Sequence, residues 1–204
     1  QSLRLEGRNH TREGLDGLTY HVTDLEREPL PEGAFDIVFA SHSVHHIEHL
    51  DALFASVHAS LRPGGVFHLQ EYVGPDRFQW TDAQLEGINM FMATLPLKYR
   101  RFPSGMERGP VGRPSVQAVI DVDPSEAIRS SQIVDAVRRH FRIAELRPLG
   151  GALLQTGLSG IAQNFDPESP EDRAHLQRFF ELEDAWMAQG RIDSDFAVIT
   201  AVRE

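Results

Sequence analysis

Two structural devices are missing from this 204-residue chain, and each absence excludes a class of protein. It contains no cysteine, so it can form neither a disulfide nor a thiolate zinc site. No apolar run approaches the roughly 20 residues that a membrane-spanning helix needs, and no signal peptide is visible. These absences favour a cytoplasmic protein that has no membrane partner.

Positive charge is scarce, since 20 lysines and arginines stand against 30 aspartates and glutamates and give a formal net charge of -10. Such an acidic chain is a poor partner for the phosphate backbone of a nucleic acid. The length and the 41% hydrophobic content suit a single globular domain. Because the sequence starts at Gln1, without methionine, we expect a processed or truncated chain.

The first half of the chain has the pattern of a strand–helix–strand unit. Residues 18–24 alternate in polarity, which predicts a strand, and the apolar run 35–40 predicts a strand covered on both faces. The apolar residues of 47–61 recur at helical spacing up to the Arg62–Gly65 turn, and 66–73 is again strand-like. Short joins between these elements predict a parallel sheet.

The second half predicts more helix than strand. Thr81 and Ser169 are good helix caps, Ser130 or Ser131 is a third, and 98–114 is typical of a loop. The predicted helices and strands lie at 82–95, 132–140, 142–146, 170–189 and 194–202. Helix at 150–165 is weakened by its four glycines.

Two segments, VTDLEREPLPEGAFDIVFASHSVHHI (22–47) and LRPGGVFHLQEYV (61–73), carry an ordered set of motifs. An acid follows the first strand, Phe-Asp opens the second, a histidine follows it, and Leu-Arg-Pro-Gly-Gly precedes the third. Over 18–74 this order resembles the central half of a class I S-adenosylmethionine-dependent methyltransferase, of the bacterial type 11/12-like kind.

The resemblance implies an α/β fold with a Rossmann-like, mostly parallel sheet and a helical insertion in the C-terminal half. It also implies one domain over 1–204. Within it we expect a core at 1–75, a helical lid region with one strand at 76–190, and a closing strand at 191–204.

One part of the family pattern is not evident in this chain: the first two strands and the glycine-rich loop that binds the donor. In the family these strands lie between the third and fourth, so 35–40 would have an unpaired apolar edge. We expect one of three outcomes. The missing part exists elsewhere, a homodimer or swapped oligomer covers the edge, or the 18–24 strand pairs with it.

The resemblance implies S-adenosylmethionine as cofactor and a small molecule as methyl acceptor. Asp24 and Leu25 would flank the adenine, and Ser41 and His42 would lie at the carboxyl end of a strand, where open α/β sheets bind ligands. A strand-end turn and loop capping are the respective alternatives. Five residues are candidates to line the acceptor pocket or to pack in the core: Glu71, Tyr72, Trp80, Phe91 and Met92.

Four of the ten histidines fall within 42–49. In a helix beginning near His45, that residue and His49 would share a face. A metal site of three histidines is conceivable, but H-E-x-x-H is absent and no nearby pair of acids completes it, so we predict no metal site. His46 is interpreted as a packing residue or as the proton acceptor for a substrate hydroxyl, with His45 and Ser43 as further catalytic candidates.

Two other classes of function remain open. Ser41 or Ser43, a histidine, and Asp36 or Glu71 could form a hydrolase's nucleophile, base and acid. The nearest string to a nucleophile elbow, GLSGI at 157–161, lacks the final glycine. A non-catalytic relic or binding protein with the methyltransferase fold is the third alternative.

Overall fold

A four-stranded mixed sheet organises the protein, for which a computed structural model describes residues 18–204. The strands are β1 (Phe35–Ser41), β2 (Leu61–Tyr72), β3 (Arg142–Gly150) and β4 (Phe196–Val202), in the order β1-β2-β4-β3. β1 pairs with β2 in parallel, and β4 is antiparallel to both β2 and β3. Three of the four strands therefore run in one direction, which confirms the predicted α/β fold with a mostly parallel sheet.

Six α-helices accompany the sheet in the described part of the chain. They are α1 (Leu50–Ser60), α2 (Asp82–Thr94), α3 (Val116–Val122), α4 (Ile133–His140), α5 (Leu154–Leu158) and α6 (Pro170–Ala188). The caps of α2 and α6 are those that the sequence predicts, since Thr81 forms a capping box with Gln84 and Ser169 precedes Pro170. No helix within residues 18–204 is both long and apolar enough to cross a membrane.

The start of the predicted helix 132–140 illustrates how tertiary contacts change a cap. Ser130 does not cap α4, because its hydroxyl donates to the carbonyl of Gly74, and a 3₁₀ turn precedes the helix instead. The short helix α3, which the sequence did not predict, is capped by Ser115 through the backbone N–H of Ala118.

Helices α1 and α4 cover one face of the sheet. The side chains of Val38, Phe67, Leu69 and Ile199 point to this face and join one buried apolar cluster with the two helices. A second apolar cluster lies among α2, α5 and α6, where the rings of Phe91 and Phe179 stack at 3.8 Å. The sheet and the helical region thus have separate cores, and the functional site lies where they meet.

β1 is an edge strand of this sheet, as the sequence predicted for 35–40. Its residues Ile37 and Phe39 are 65% and 63% exposed on the face opposite α1 and α4. The predicted strand at 18–24 is wrong, because these residues carry no strand and end in a turn at 25–27. Alternating polarity alone supplies neither a hydrogen-bond partner nor a buried face for a strand. The expected pairing of residues 18–24 with the edge of β1 is therefore not formed.

Candidate functional site

A cavity of about 640 Å³ opens at the carboxyl ends of β1 and β2, beside the first residue of β4. Four aromatic side chains form one wall: Tyr72, Phe78, Trp80 and Phe196. Phe78 and Trp80 stack at 5.7 Å, and Tyr72 meets the edges of Phe78 and Phe196 at 5.4 and 5.3 Å. This wall presents a flat, apolar surface to a ligand.

The opposite wall is polar and is tied together by a buried arginine. Arg108 is 8% exposed and donates to the carbonyls of Thr156, Gly157 and Ser159, at 2.5 to 2.8 Å. Burial lowers the pKa of its guanidinium. These bonds fix the irregular segment around residue 108 against the end of α5, so the loop that the sequence predicted at 98–114 becomes a rigid wall of the cavity.

Glu71 is a fully buried acid at the end of β2 that organises the turn after β1. Its Oε2 atom accepts the backbone N–H groups of Ser43 and Val44 at 2.8 and 2.7 Å. Its Oε1 atom accepts the N–H of Tyr72 and lies 2.5 Å from Nδ1 of His45. Four donors thus converge on one carboxylate and fix the position of the His45 ring.

The same four contacts keep Glu71 ionised. Burial alone raises the pKa of its carboxyl, but the hydrogen bond and charge of His45 and the N–H groups of Val44 and Ser43 outweigh burial, so the pKa lies below its ordinary value. An ionised Glu71 accepts a hydrogen bond from Nδ1–H of His45, and in the neutral tautomer with this Nδ1–H the other ring nitrogen, Nε2, can accept a proton.

Three ligand-type side chains lie together at this point. Ligand atoms of His45, His46 and Glu126 are all within 4.8 Å of one another, and Nε2 of His45 is 3.5 Å from Oε1 of Glu126. Nδ1 of His46 lies 3.1 Å from the hydroxyl of Ser125, and that hydroxyl donates to Asp123 at 2.7 Å.

Asp195 is a second buried acid on the cavity wall, and its environment is the reverse of that of Glu71. Burial raises the pKa of this carboxyl to about 7, against the lowering effect of the Gln84 amide, which donates to both oxygens at 3.0 Å. It is 4% exposed. Glu71, which binds the cavity residue His45, therefore has a lowered pKa, whereas Asp195 on the cavity wall titrates near neutral pH.

The structure brings two of the predicted site residues, His42 and His45, to the cavity. His42 has a left-handed backbone (φ 48°), and its N–H donates to the carbonyl of Gln70 at 2.9 Å. Ser43 contributes its backbone N–H to Glu71, and Ser41 ends β1 on the exposed side. The catalytic and cofactor roles of these residues stay predictions.

The predicted helix from His45 is wrong in its starting point. Residues 44–46 form a single 3₁₀ turn, and α1 begins only at Leu50. His45 and His49 therefore do not share a helix face. The backbone N–H groups of Glu48 and His49, which a continuous helix would direct to carbonyls four residues earlier, instead donate to the Glu26 carboxylate at 2.5 and 3.2 Å, and Ile47 before them is extended (ψ 124°).

Asp24 and Leu25, predicted beside the adenine, lie in an exposed turn. The Asp24 carboxylate accepts the N–H of Glu26 at 3.1 Å and pairs with Arg27 at 3.6 Å. These contacts agree with the alternative of a turn-forming acid. The adenine role of both residues is untested.

The remaining candidates for the acceptor pocket and for the hydrolase acid fall into those that lie at the cavity and those that lie away from it. Tyr72 and Trp80 line the cavity, whereas Phe91 and Met92 are buried in the helical core. Asp36 begins β1, at the end opposite the histidines, and is bonded to Arg62. Within residues 18–204 neither Ser41 nor Ser43 has a hydroxyl hydrogen bond to a histidine, so the described structure does not pair either of these two serines with a base.

Sequence reasoning missed Glu126, Arg108 and Asp195 as wall residues. Glu126 follows a turn begun by Asp123, where nothing in the sequence pairs it with a histidine about 80 residues earlier. The signal for Glu71 was visible, because a charged residue stands in an otherwise apolar strand end, QEYV at 70–73.

Residues 2–69 match the model of a protein family described as methyltransferase domain. Among curated proteins, the highly reducing polyketide synthase cm3B of Cordyceps militaris is 34% identical over 64 residues, which is 29% of this chain and 2% of that protein. The sterol 24-C-methyltransferase ERG6B of Gibberella zeae is 29% identical over 80 residues, 39% of this chain and 21% of that protein. The chain therefore spans at most about a fifth of these two relatives.

Two solved structures are similar over most of the chain. The [4+2]-cyclase SpnF has 16% identity and a TM-score of 0.47, and the match covers 95% of this chain and 60% of that one. An S-adenosylmethionine-dependent methyltransferase from Mesorhizobium loti has 17% identity and a TM-score of 0.45, with 91% and 69% covered.

The family match falls on the segment that carries the Phe35-Asp36 and Leu61–Gly65 motifs and that builds β1, α1 and most of β2. Sequence motifs and element order agree there. Over these residues, about a third of the chain, the sequence is therefore similar to the methyltransferase domain family.

Proposed function

We propose that this chain supplies the acceptor-binding and proton-accepting part of a methyltransferase that acts on a small molecule. The observation that carries the proposal is the His45–Glu71 pair, whose free imidazole nitrogen lies at the wall of the 640 Å³ cavity. Imidazole is the common proton acceptor near neutral pH, and a carboxylate on its other nitrogen fixes the ring and its tautomer.

The chemical role of the pair follows from its charges. When Nε2 of His45 takes a proton from an acceptor O–H or acidic C–H group, the imidazolium lies between Glu71, 2.5 Å from Nδ1, and Glu126, 3.5 Å from Nε2. Two carboxylates stabilise the cation that forms. A base of this kind is useful for an acceptor that is a poor nucleophile until it loses a proton, and superfluous for a free amine.

The cavity walls indicate the kind of acceptor. The stacked Phe78 and Trp80, with Tyr72 at their edge, favour a planar or acyl-bearing small molecule. The polar groups of Gln155, Thr156 and Ser159 can orient oxygens on its other side.

S-adenosylmethionine supplies, when bound, a methyl group on a positively charged sulfur. Residues 18–204 do not form a complete cradle for it, because Asp24 is engaged in its own turn and Gly64-Gly65 lies at the opposite end of β2 from the cavity. The proposal therefore requires donor contacts from residues 1–17 or from a second polypeptide, and a homodimer or swapped oligomer at the β1 edge would be one source.

The first experiment is isothermal titration of the purified chain with S-adenosylhomocysteine, at protein concentrations low and high enough to vary self-association. We expect micromolar binding. A panel of hydroxylated and carbon-acid small molecules with S-adenosylmethionine then identifies an acceptor by the methyl group added in mass spectrometry. Absence of binding at every concentration, or no methylated product from the whole panel, overturns the proposal for this chain.

The role of the base is tested by His45→Gln. We expect kcat to fall by about 10²–10⁴-fold, with the KM of the acceptor changed only a few-fold. His49→Gln is the matched control, because His49 is a nearby exposed histidine outside the cavity, and it should leave both constants unchanged. An equal loss in the two variants would show that His45 is not the base.

A further inference from the structure

We propose that His45, His46 and Glu126 form a binding site for a divalent transition-metal ion of the zinc class at the cavity wall. Their ligand atoms lie within 4.8 Å of one another, and the three side chains come from two segments that the fold brings together. The inference does not depend on methyl transfer. It differs from the expectation drawn from the sequence, which considered only the histidines at 42–49 and found no acid to complete them.

The hydrogen bonds around both rings leave nitrogen lone pairs available. Nδ1 of His45 donates to the ionised Glu71. The hydroxyl of Ser125 gives its proton to Asp123, so its oxygen accepts from Nδ1–H of His46. Each ring is therefore held through Nδ1 by an oxygen, as metal-binding histidines commonly are, and in the neutral tautomer with Nδ1–H its Nε2 can bind a metal ion.

The second argument for a metal ion is that two hydrogen-bond acceptors, the His45 imidazole and the Glu126 carboxylate, face each other. Nε2 of His45, an acceptor in the neutral tautomer with Nδ1–H, lies 3.5 Å from a carboxylate oxygen of Glu126. Two acceptors at that distance repel each other unless a proton or a cation lies between them. For comparison, ligands at about 2.0–2.1 Å around a tetrahedral zinc ion are separated by about 3.4 Å, so the spacing fits an ion with little movement.

The backbone holds Glu126 in this position. The N–H of Ile128 donates to the carbonyl of His45 at 3.1 Å. Ala127, which lies between Glu126 and Ile128, has a left-handed backbone (φ 47°). The side chains of His45 and Glu126 are 10% and 26% exposed, so the pair is only partly hydrated.

The donor set selects the class of metal. Two imidazoles and one carboxylate suit zinc and its neighbours in the first transition row, whereas calcium and magnesium prefer all-oxygen sites. Three protein ligands leave at least one coordination position, and because His45 and Glu126 line the cavity this position faces a ligand there. A bound ion and a proton compete for Nε2 of His45, so the ion would inhibit any reaction that uses this nitrogen as a base.

The test is a titration of the metal-freed chain with Zn²⁺ in competition with a chromophoric chelator, followed by Co²⁺, whose visible absorption reports coordination by nitrogen. We expect one ion per chain, bound at micromolar concentration or tighter. His46→Gln and Glu126→Gln should each weaken binding by about tenfold or more, and Glu71→Gln, which alters the partner of His45 and one acceptor of the turn at 43–44, by about 10–100-fold.

His49→Gln and His42→Gln are the controls, and both should bind zinc like the original chain. Circular dichroism of every variant shows whether a loss comes from unfolding. Failure of the folded original chain to retain zinc overturns the proposal, and so does binding that survives His46→Gln and Glu126→Gln but is lost in His49→Gln.

Discussion

The two faces of the sheet differ in burial although the same strands form both. On the face that α1 and α4 cover, Phe67 and Leu69 are at most 1% exposed. On the other face, Phe39 of the adjacent strand is 63% exposed, and its ring stacks on His68 at 5.5 Å. Hydrophobicity of the residue is therefore not what decides burial here. The helices α1 and α4 decide it, because within the described residues they cover only one side of these strands.

The largest effect should come from truncating a phenylalanine on the covered face. Phe67→Ala removes a ring that contacts Phe54 and Phe141, so we expect the free energy of unfolding to fall by about 3–5 kcal/mol. The measurement is urea denaturation followed by circular dichroism.

Phe39→Ala is the matched control, because it truncates the same residue type on the neighbouring strand. We expect a loss of less than about 1 kcal/mol, since only the stacking on His68 is removed. Equal losses in the two variants would mean that another part of the protein, or another copy, buries the open face in solution.

Asp195, beside the cavity, should produce the next largest effect, and it depends on pH. Its pKa of about 7 in the folded protein lies above the ordinary value of 3.8. Between these values the folded state keeps a proton that the unfolded state has lost, so the free energy of unfolding falls as the pH rises from about 4 to 7. The total change is at most about 4 kcal/mol.

Asp195→Asn removes this titration and still offers an oxygen to Gln84. The free energy of unfolding should therefore change less between pH 5 and pH 8 in the variant than in the original chain. The difference between the two changes is the contribution of Asp195. An unchanged difference between the two pH values would show that Asp195 is ionised in the folded protein at pH 5.

Local sequence patterns predicted those strands and helices that are specified by residues within or next to the element itself. The apolar run that became β1, the helical spacing of α1 and the caps Thr81 and Ser169 each lie within a few residues of the element they specify. The strand predicted at 18–24 failed because strand formation also needs a neighbour, which period-two alternation cannot supply.

The part of the site that local sequence patterns specify was predicted, and the rest was not. The residues His42 and His45 follow β1 directly and could be placed at the sheet's carboxyl edge from the motif alone. The contacts that give His45 its chemistry come from β2 and from the segment at 123–128, and pairing over such distances in the chain leaves no local pattern. The burial that raises the pKa of Asp195 and the contacts that lower the pKa of Glu71 likewise depend on packing from several elements.

The smallest effect on stability should come from placing a charge on the open face. Phe39→Lys puts an ammonium where the side chain is 63% exposed, so the free energy of unfolding should change by about 0.5–1 kcal/mol at most. Self-association should respond more strongly, because a lysine on an unpaired edge strand opposes pairing with another strand. Sedimentation velocity of the two proteins at equal concentrations measures this. A shift from dimer to monomer in Phe39→Lys would identify β1 as the contact between copies, whereas a monomer in both would exclude such a contact at the concentrations measured.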